Sequence, residues 1–327
     1  MRRVKSIYIS ETYCDPYWVE NIVEQVGDRH DFSVFDPSKP VAPQFAEVEV
    51  VIDSGGHGTR EMMDAAKKCS LWQIVSNGVD HCDTEYMLHK GFMITFCPGP
   101  QSATALSECA MMFMLLLART YNKCQDYFQA RKLYAPMVGD LEDKTVLILG
   151  FGASGQALAR RAKTFGMTVW GIDIRQIDQN IIDDIKPDFL GTTDKDLDRL
   201  LPECDFLSLH LYLNEKTHHI IDARRIGLLK KTACFVNVAR GGLVDEEALH
   251  DALLNDRFFG AGIDAYDPEP TDPTLPVYQL PNVYVSPHVA GESVGTAVKR
   301  NGSMVENLDR FAEGREILNR IDEQLPV

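Results

Sequence analysis

The sequence lacks both an excess of positive charge and a long hydrophobic run. Its 327 residues include 33 lysines and arginines against 48 aspartates and glutamates, a formal net charge of −15. Because nucleic acids and anionic membranes bind cationic surfaces, this balance argues against both as main partners. The most hydrophobic stretch, CAMMFMLLLA (109–118), is well short of the roughly 20 apolar residues that a membrane span needs. We expect no nucleic-acid or membrane partner, and we interpret the stretch as a helix buried on most sides.

Paired cysteines and a targeting segment are also missing. The eight cysteines are Cys14, Cys69, Cys82, Cys97, Cys109, Cys124, Cys204 and Cys234. They form no Cys-x-x-Cys pair and several lie in apolar segments, which favours buried free thiols in a reducing compartment over a disulfide or zinc framework. MRRVKSIYIS at the start has no apolar core long enough for a signal peptide. We therefore expect a cytoplasmic protein.

No metal site is predicted either. His218 and His219 are adjacent in the sequence, a spacing that does not suit a single metal site on a helix, and we expect both to be exposed. His81 and Cys82 are also adjacent, and we interpret them as structural residues. There is no internal repeat and no low-complexity tract.

Short β-rich segments alternate with helical patterns, which is typical of parallel α/β units. The predicted strands are 5–9, 32–35, 48–53, 71–75 and 92–96 in a first series, and 144–150, 167–173, 204–210, 233–239, 258–265 and 282–288 in a second. A long helical stretch, 102–131, separates the two series, and an amphipathic helix, 294–314, follows the last strand. Because a terminal helix must bury its apolar face, we expect it to pack on the first domain, which would then be discontinuous.

The hexapeptide GFGASG (150–155) lies between the apolar run TVLIL and an amphipathic helical pattern. Gly150 permits a tight turn, Gly152 lets the backbone approach a pyrophosphate, and Gly155 allows close contact between helix and strand. The N–H groups that open the helix, at Ala153 and Ser154, would face the phosphates with the positive end of the helix dipole behind them. This context favours a dinucleotide site over a purely structural turn.

A second predicted strand ends at Asp173, 23 residues after Gly150. The acid that binds the adenosine ribose is expected about 20 residues after the glycines. A carboxylate there accepts hydrogen bonds from both ribose hydroxyls and repels a 2′-phosphate, which favours NAD over NADP. Arg175, two residues further on, keeps NADP open as an alternative.

Three polar residues follow predicted strands at the edge where ligands of open α/β sheets bind: Arg240, Glu269 and His288. A histidine paired with a carboxylate keeps one tautomer and gains basicity, and an arginine offers the fork that grips a carboxylate. Each residue also has a structural interpretation, since Arg240 could pair with Asp245, Glu269 could be a solvated turn residue and His288 could cap a loop. Together at one sheet edge, they indicate a catalytic site.

Four segments carry a family resemblance: GFGASG, NVARGGLVDEEAL, GAGIDAYDPEP and PNVYVSPHVAG. In this order and spacing they resemble the D-isomer-specific 2-hydroxyacid dehydrogenases, along nearly the whole chain. The resemblance implies that Arg240 binds the substrate carboxylate and polarises its carbonyl. It implies that His288 protonates the carbonyl oxygen as hydride arrives, and that Glu269 holds His288 protonated.

The resemblance also implies roles in cofactor binding. Asp264 would hold the nicotinamide carboxamide together with the backbone near Ala239. His210 and Thr217 match the loop beside the adenosine. NAD is the cofactor implied.

Substrate binding is implied for Asn77 and Gly78, which match the first-domain turn whose amides meet the substrate carboxylate. Three positions depart from the usual family pattern: Tyr212 stands where proline is common, Ser154 where an aliphatic residue is common, and Asn77 where a small apolar residue is usual. Arg60 is the one permanent cation in the two first-domain turns, so we expect a small, unphosphorylated substrate.

We predict two doubly wound parallel-sheet α/β domains, a Rossmann NAD-binding domain (102–291) inserted into a smaller, flavodoxin-like substrate domain (1–101 plus 292–327). The expected function is NAD(H)-dependent interconversion of a small 2-oxo acid and its D-2-hydroxy acid, with hydroxypyruvate or glyoxylate reduced better than pyruvate. The resemblance implies a homodimer built on the cofactor domain and the helix around 107–122. The alternative is an NAD-sensing binding protein that resembles the C-terminal binding protein corepressors.

Overall fold

A computed structural model describes residues 2–10 and 15–322 of the chain. The described residues form two compact units. The outer unit is made from Met1–Gln101 and Ser293–Val327, and the inserted unit is Ser102–Glu292. The cysteine at position 14 lies outside the described residues.

Both units are built from alternating strands and helices. Within the described residues the strands are β1 (Lys5–Ile9), β2 (Asp31–Val34), β3 (Val50–Asp53), β4 (Leu71–Ile74), β5 (Met93–Thr95), β6 (Thr145–Leu149), β7 (Thr168–Ile172), β8 (Phe189–Gly191), β9 (Phe206–Leu209), β10 (Cys234–Asn237), β11 (Gly260–Ile263) and β12 (Val283–Val285). The helices are α1 (Tyr17–Val26), α2 (Val41–Phe45), α3 (Arg60–Ala65), α4 (Thr84–His89), α5 (Ala103–Ala118), α6 (Tyr121–Gln129), α7 (Ala153–Thr164), α8 (Gln179–Ile185), α9 (Thr193–Leu200), α10 (Ala223–Ile226), α11 (Glu246–Leu254) and α12 (Val294–Glu313).

The outer unit is a parallel five-stranded sheet in the order β2-β1-β3-β4-β5. This is the flavodoxin-like order. Its central strands are buried on both faces, as expected of parallel strands covered by helices on each side. Met304 and Leu308 of α12 share one apolar core with Ile22 of α1 and Val50 of β3. The expectation that the last helix packs on the first domain is therefore confirmed.

The inserted unit is a parallel seven-stranded sheet in the order β12-β11-β10-β9-β6-β7-β8. Counted from its own first strand, the order is the Rossmann order 3-2-1-4-5-6 with a seventh strand added at the edge. One face packs on Phe113 of α5 and Leu158 of α7, and the other on Leu249 and Leu253 of α11. The predicted fold, two parallel-sheet α/β domains of these two types, is confirmed.

The predicted helical stretch 102–131 is two helices, α5 and α6, rather than one. They meet at an angle of 50° where Thr120 has a φ of 44°, in the left-handed region. No single helix within the described residues is long and apolar enough to cross a membrane, although this bent pair meets the criteria of length and composition together. The expectation of a helix buried on most sides is confirmed for α5, since Met112, at 44 % exposure, is the one residue of 109–118 that is exposed.

The described cysteines are all free thiols. Cys97, Cys204 and Cys234 are buried, as predicted, whereas the others are half-buried. Burial raises the pKa of the Cys97 and Cys204 thiols to about 12, because a thiolate there would lose its hydration. These thiols are therefore packing residues.

Candidate active site

The carboxyl-terminal ends of the strands in the inserted unit carry most of the residues that the sequence singled out. Because the strands are parallel, these ends lie along one edge of the sheet. The residues concerned are Gly150 after β6, Asp173 after β7, His210 after β9, Arg240 after β10, Asp264 and Glu269 after β11, and His288 after β12. The change in strand order, between β6 and β9, is where Gly150 and His210 lie side by side.

The glycine turn between β6 and α7 is closely packed. Gly150 has a φ of 99°, and a Cβ there would lie 2.5 Å from the carbonyl oxygen of His210. A Cβ on Gly155 would lie 2.1 Å from the carbonyl oxygen of Gly150. By contrast, a Cβ on Gly152 would meet only the Nη2 atom of Arg175, at 3.4 Å. Packing thus requires glycine at positions 150 and 155, whereas the space in front of Gly152 holds only the end of the Arg175 side chain.

The amino terminus of α7 is open to an anion. Gly152 is its N-cap residue, and no described side chain caps the helix there. The first N–H groups, from Ala153 onwards, therefore lack the partner that Asp245 gives to α11. A helix amino terminus with unpaired N–H groups and a glycine in front of it is a cradle that fits a pyrophosphate.

The structure explains why a serine, and not an aliphatic residue, stands at position 154. Its hydroxyl lies 3.1 Å from Nδ1 of His210, and Nε2 of the same ring lies 3.0 Å from the hydroxyl of Ser208. Burial lowers the pKa of His210 to about 3, so the ring is neutral and holds one proton between the two hydroxyls. This chain of hydrogen bonds joins the start of α7 to the end of β9.

The loop after β9 is closed by Thr217. Its hydroxyl donates to the carbonyl oxygen of Tyr212 at 2.7 Å and accepts from the backbone N–H of Asn214 at 2.9 Å. Tyr212 therefore takes the place of the usual family proline in a loop that side-chain hydrogen bonds hold together.

Asp173 is 7 % exposed and accepts four hydrogen bonds. The backbone N–H of Phe151 donates to it at 2.9 Å, and Arg175 donates through its backbone N–H, Nε and Nη2 at 2.9, 3.0 and 2.9 Å. Burial by itself raises the pKa of Asp173, but these hydrogen bonds, mainly those of Arg175, hold it below the ordinary value. The carboxylate is therefore ionised and paired.

His288 and Glu269 form a direct pair. Nδ1 of His288 lies 2.8 and 2.9 Å from the two carboxylate oxygens of Glu269, and Oε1 of Glu269 also accepts the backbone N–H of Tyr266 at 3.0 Å. The bond to Glu269 raises the pKa of His288, and burial opposes this only in part. Burial raises the pKa of Glu269, but its bonds with His288 and Tyr266 outweigh this and lower it. The expected catalytic pair is thus assembled, with Nε2 as the ring nitrogen that does not face Glu269.

Arg240 lies in a turn whose conformation depends on the side chain of Asn237 and on Gly241. Asn237 donates from Nδ2 to the carbonyl oxygen of Arg240 and accepts the backbone N–H of Ala239 through Oδ1, at 2.9 and 3.0 Å. A Cβ on Gly241 would lie 1.9 Å from the backbone of Tyr266, so this turn and the segment that leads to Glu269 are pressed together.

The charge of Arg240 acts on the catalytic pair. It lowers the pKa of both Glu269 and His288. The three residues that the sequence proposed as catalytic therefore lie together. Asp245, the partner considered for Arg240, accepts the backbone N–H of Ala248 at the start of α11.

Asp264 has a role that the sequence did not reveal. It is 0 % exposed and accepts hydrogen bonds from the hydroxyl of Ser286 and from the backbone N–H groups of Val289 and Ala290. These bonds anchor the turn that carries His288, whose φ of 56° is in the left-handed region. No sequence signal marks these bonds, because they join the ends of two neighbouring strands that are far apart along the chain.

In the outer unit, Asn77 and Gly78 follow β4, as expected. Asn77 is half-buried and Gly78 is buried, and the hydroxyl of Ser76 donates to the carbonyl oxygen of Gly78 at 2.5 Å. Arg60, also in the outer unit, forms an ion pair: its Nε lies 2.6 Å from a carboxylate oxygen of Asp83.

His218 and His219 are exposed, as predicted, but they lie in a turn and not on a helix. Their rings stack at 3.9 Å, and their nitrogens lie within 4.8 Å of each other and of a carboxylate oxygen of Asp267. The argument from helical spacing therefore does not apply to them, and the three side chains form a group that could hold a metal ion. Exposed groups of this kind are common without an ion, and no role is assigned to it.

Comparison with known proteins agrees with this geometry. A family model described as D-isomer specific 2-hydroxyacid dehydrogenase, NAD binding domain, matches residues 111–290. The glyoxylate reductase of Korarchaeum cryptofilum is 33 % identical over 272 residues, which cover 81 % of this chain and 80 % of that protein. The D-3-phosphoglycerate dehydrogenase of Methanocaldococcus jannaschii is 33 % identical over 270 residues, covering 81 % of this chain and 50 % of that protein.

A solved structure is similar along nearly the whole chain. The TT0316 protein from Thermus thermophilus is similar with a TM-score of 0.79 and 31 % sequence identity, over 97 % of this chain and 99 % of that chain. The family model covers more than half of the 327 residues. The chain therefore belongs to the D-isomer specific 2-hydroxyacid dehydrogenases and is an NAD-binding oxidoreductase.

Proposed function

We propose that this oxidoreductase interconverts a small, unphosphorylated 2-oxo acid and its D-2-hydroxy acid, with glyoxylate or hydroxypyruvate as the preferred oxo acid. The observation that carries the proposal is the pairing of His288 with Glu269 beside the charge of Arg240. This is the set of groups that reduction of a 2-oxo acid needs: a proton donor, a group that keeps it charged, and a cation for the carboxylate.

In the direction of reduction, His288 donates the Nε2 proton to the carbonyl oxygen and becomes neutral. Glu269 stabilises the imidazolium before that transfer and fixes Nδ1 as the nitrogen that faces away from the substrate. Arg240 binds the substrate carboxylate and polarises the carbonyl. A nicotinamide cofactor, when bound, would supply the hydride. Asp264 acts indirectly, because it anchors the turn that positions His288.

We propose the inserted unit as the NAD-binding domain and the outer unit as the substrate domain. The open amino terminus of α7 and the glycine turn fit the pyrophosphate. Asp173 would accept the ribose hydroxyls in place of the guanidinium group of Arg175, which donates to it here. The proposed cofactor-binding set is Gly150, Gly152, Ala153, Ser154, Gly155, Asp173, His210, Thr217, Ala239 and Asp264. For Asp264, three donors already occupy most of its acceptor capacity, so contact with the carboxamide would be through what remains.

The outer unit, where Asn77 and Gly78 are proposed to bind the substrate, limits the substrate's size and charge. A phosphate dianion needs more than one cation, and Arg60 is already paired with Asp83. The relatives include both a glyoxylate reductase and a D-3-phosphoglycerate dehydrogenase, so the two substrate classes must be compared directly. Asn77 could hydrogen-bond a hydroxyl on the third carbon of the substrate.

The test is a panel of 2-oxo acids with NADH: glyoxylate, hydroxypyruvate, pyruvate and 3-phosphohydroxypyruvate, in the wild type, Asn77→Ala and Asn255→Ala. We expect hydroxypyruvate or glyoxylate to give the highest kcat/KM. Asn77→Ala should lower the preference for hydroxypyruvate over pyruvate by about 1–3 kcal/mol, because the substrate hydroxyl loses its partner. Asn255, an exposed residue bonded to Asp251 at the end of α11, is the control and should leave the preference unchanged. A wild-type preference for the phosphorylated acid would contradict the proposal.

We also propose a cytoplasmic homodimer. Met112, Leu115, Leu116 and Phe165 line an open apolar groove along α5, and Met137 is 92 % exposed. Apolar surface of this extent favours burial against another protein surface. A second copy of the chain is the partner we propose.

A further inference from the structure

The loop that carries Glu269, residues 266–271, has no backbone ladder to hold it. Within the described part of the chain, none of its backbone groups bonds to another backbone group. Pro268 and Pro270 also lack an N–H group that could donate. The position of Glu269 therefore depends on packing and on the bonds that side chains make to this loop.

Glu246, the first residue of α11, holds this loop at both ends. Its Oε2 atom accepts the backbone N–H of Asp267 at 2.6 Å, and its Oε1 atom accepts the hydroxyl of Tyr278 at 3.0 Å. The Tyr278 hydroxyl also lies 3.1 Å from Oγ1 of Thr271. One carboxylate thus reaches the loop directly at Asp267 and through Tyr278 at Thr271, with Glu269 between the two points.

Glu246 is itself fixed and charged. Its side chain is 15 % exposed, and Nε2 of His250, one turn further along α11, lies 3.4 Å from Oε1. Burial raises the pKa of Glu246, but the contact with His250 and the bonds from Asp267 and Tyr278 outweigh this and lower it. Because the acceptor is ionised, its bond to the N–H of Asp267 is charge-assisted.

This bond lies next to the one that orients Glu269. Oε1 of Glu269 accepts the backbone N–H of Tyr266 and faces Nδ1 of His288. The N–H groups of Tyr266 and Asp267 belong to consecutive residues, so Glu269 binds one and Glu246 binds the next. A shift of the backbone at Asp267 would therefore move the carboxylate of Glu269 relative to His288.

We propose that Glu246 is a positioning residue of this enzyme: its carboxylate holds the 266–271 loop so that Glu269 meets His288. Glu246 acts through the backbone N–H of Asp267 and through Tyr278. This inference rests on the proposed function, in which His288 is the proton donor.

The experiment is a pH titration of His288, followed by nitrogen NMR of isotope-labelled histidine rings without cofactor or substrate. The His288 signal is the one that is missing from His288→Gln. We expect Glu246→Ala to lower the pKa of His288 by about half a unit or more, because Glu269 no longer stabilises the imidazolium as well. Glu246→Gln keeps an acceptor oxygen for Asp267 and should stay close to the wild type. Glu247→Ala, the matched control, removes an exposed glutamate from the same turn of α11 and should leave the pKa unchanged.

A double variant separates positioning from a direct effect of charge. The titration of His288 responds to Glu269 in the loop, to Arg240 after β10 and to Asp264 after β11. If Glu246 acts through Glu269, the pKa of His288 in Glu246→Ala/Glu269→Gln should equal that in Glu269→Gln alone. A further fall in the double variant, or an equal fall in Glu246→Gln and Glu246→Ala, would overturn the inference.

Circular dichroism and thermal melting establish whether each variant is folded. Tyr278→Phe carries the test if Glu246→Ala does not fold, since it removes the hydroxyl that joins Glu246 to Thr271. It should lower the pKa of His288 by a smaller amount. A wild-type pKa in the folded variant of Glu246→Ala, or in Tyr278→Phe where that variant is needed, would contradict the proposal.

Kinetics give a second readout. In Glu246→Ala, kcat for reduction should fall by about tenfold and KM should stay within about twofold, because the substrate carboxylate is bound by Arg240 in another turn. The fall of the reduction rate with pH should move to lower pH. A loss in KM alone would count against the inference. Absence of turnover by the wild type with every oxo acid, together with the expected titrations, would count against the proposed reaction and leave Glu246 as the residue that positions Glu269.

Discussion

The proton on His288 depends on one carboxylate, and this gives a pH prediction. Glu269 raises the pKa of His288, and reduction needs the protonated ring, so the rate of reduction should fall as the pH rises through that raised pKa. Glu269→Gln removes the charge and should move the fall to lower pH by about one unit or more. Oxidation of the hydroxy acid needs the neutral ring, so its rate should rise with pH over the same range.

The measurement is kcat/KM for the best oxo acid between pH 5 and pH 9. Glu306→Gln, which removes a carboxylate paired with Arg310 in the outer unit, is the control and should retain the wild-type profile. Superimposable profiles for the wild type and Glu269→Gln would refute the role given to the pair.

At the residue scale, the sequence predicts which residues lie in the candidate site, but it does not predict which hydrogen bonds they make. Arg240, Glu269 and His288 were found because each follows a strand, and parallel strands bring such residues to one edge. The bonds of Asp264 to the turn of His288, and of Ser154 to His210, depend on side-chain positions between distant strands. No spacing along the chain encodes them.

At the element scale, the glycine turn predicts that two similar substitutions fail for different reasons. Gly155→Ala places a methyl group against the carbonyl oxygen of Gly150, so it should destabilise the cofactor-free protein by about 1–3 kcal/mol and lower its Tm. Gly152→Ala meets only the end of the Arg175 side chain and should leave the Tm nearly unchanged. It should weaken NADH binding instead, because the methyl group stands before the amino terminus of α7.

Thermal melting without cofactor and NADH titration of both variants separate the two effects. A wild-type Tm for Gly155→Ala would contradict the packing role of Gly155, and wild-type NADH affinity for Gly152→Ala would contradict the cofactor-binding role of Gly152.

The elements that sequence analysis missed are those with little pattern. Strand β8 has three residues, Phe189–Gly191, all half-buried at the edge of the sheet, too short for a period to be detected. The break between α5 and α6 occurs at Thr120, which has a positive φ. The sequence does not predict this break, because no glycine or proline lies there. The longer strands were predicted because buried parallel strands are continuous apolar runs bounded by polar turns.

At the scale of the whole molecule, the groove on α5 predicts the state of association. Met112→Glu would put a carboxylate into an apolar contact, and burying an unpaired charge there is costly, so we expect the dimer to dissociate. Leu254→Glu on α11 is the matched control, because Leu254 is 47 % exposed against 44 % for Met112. Light scattering after size-exclusion chromatography should give a dimer for the wild type and the control and a monomer for Met112→Glu. A monomeric wild type at micromolar concentration would contradict the dimer.

The place of α12 in the outer unit bears on how the chain is made. A ribosome completes the first five strands, then the 191 residues of Ser102–Glu292, and only afterwards the helix that covers Tyr8, Ile22 and Val50. At about 5–20 residues per second, that interval lasts about 10–40 s. During it the inserted unit can fold as a whole, while the apolar core that α12 completes is lined by α1 and the outer sheet alone. The nascent chain is then most exposed to chaperones and to aggregation through its earliest segment, even though that segment was synthesised first.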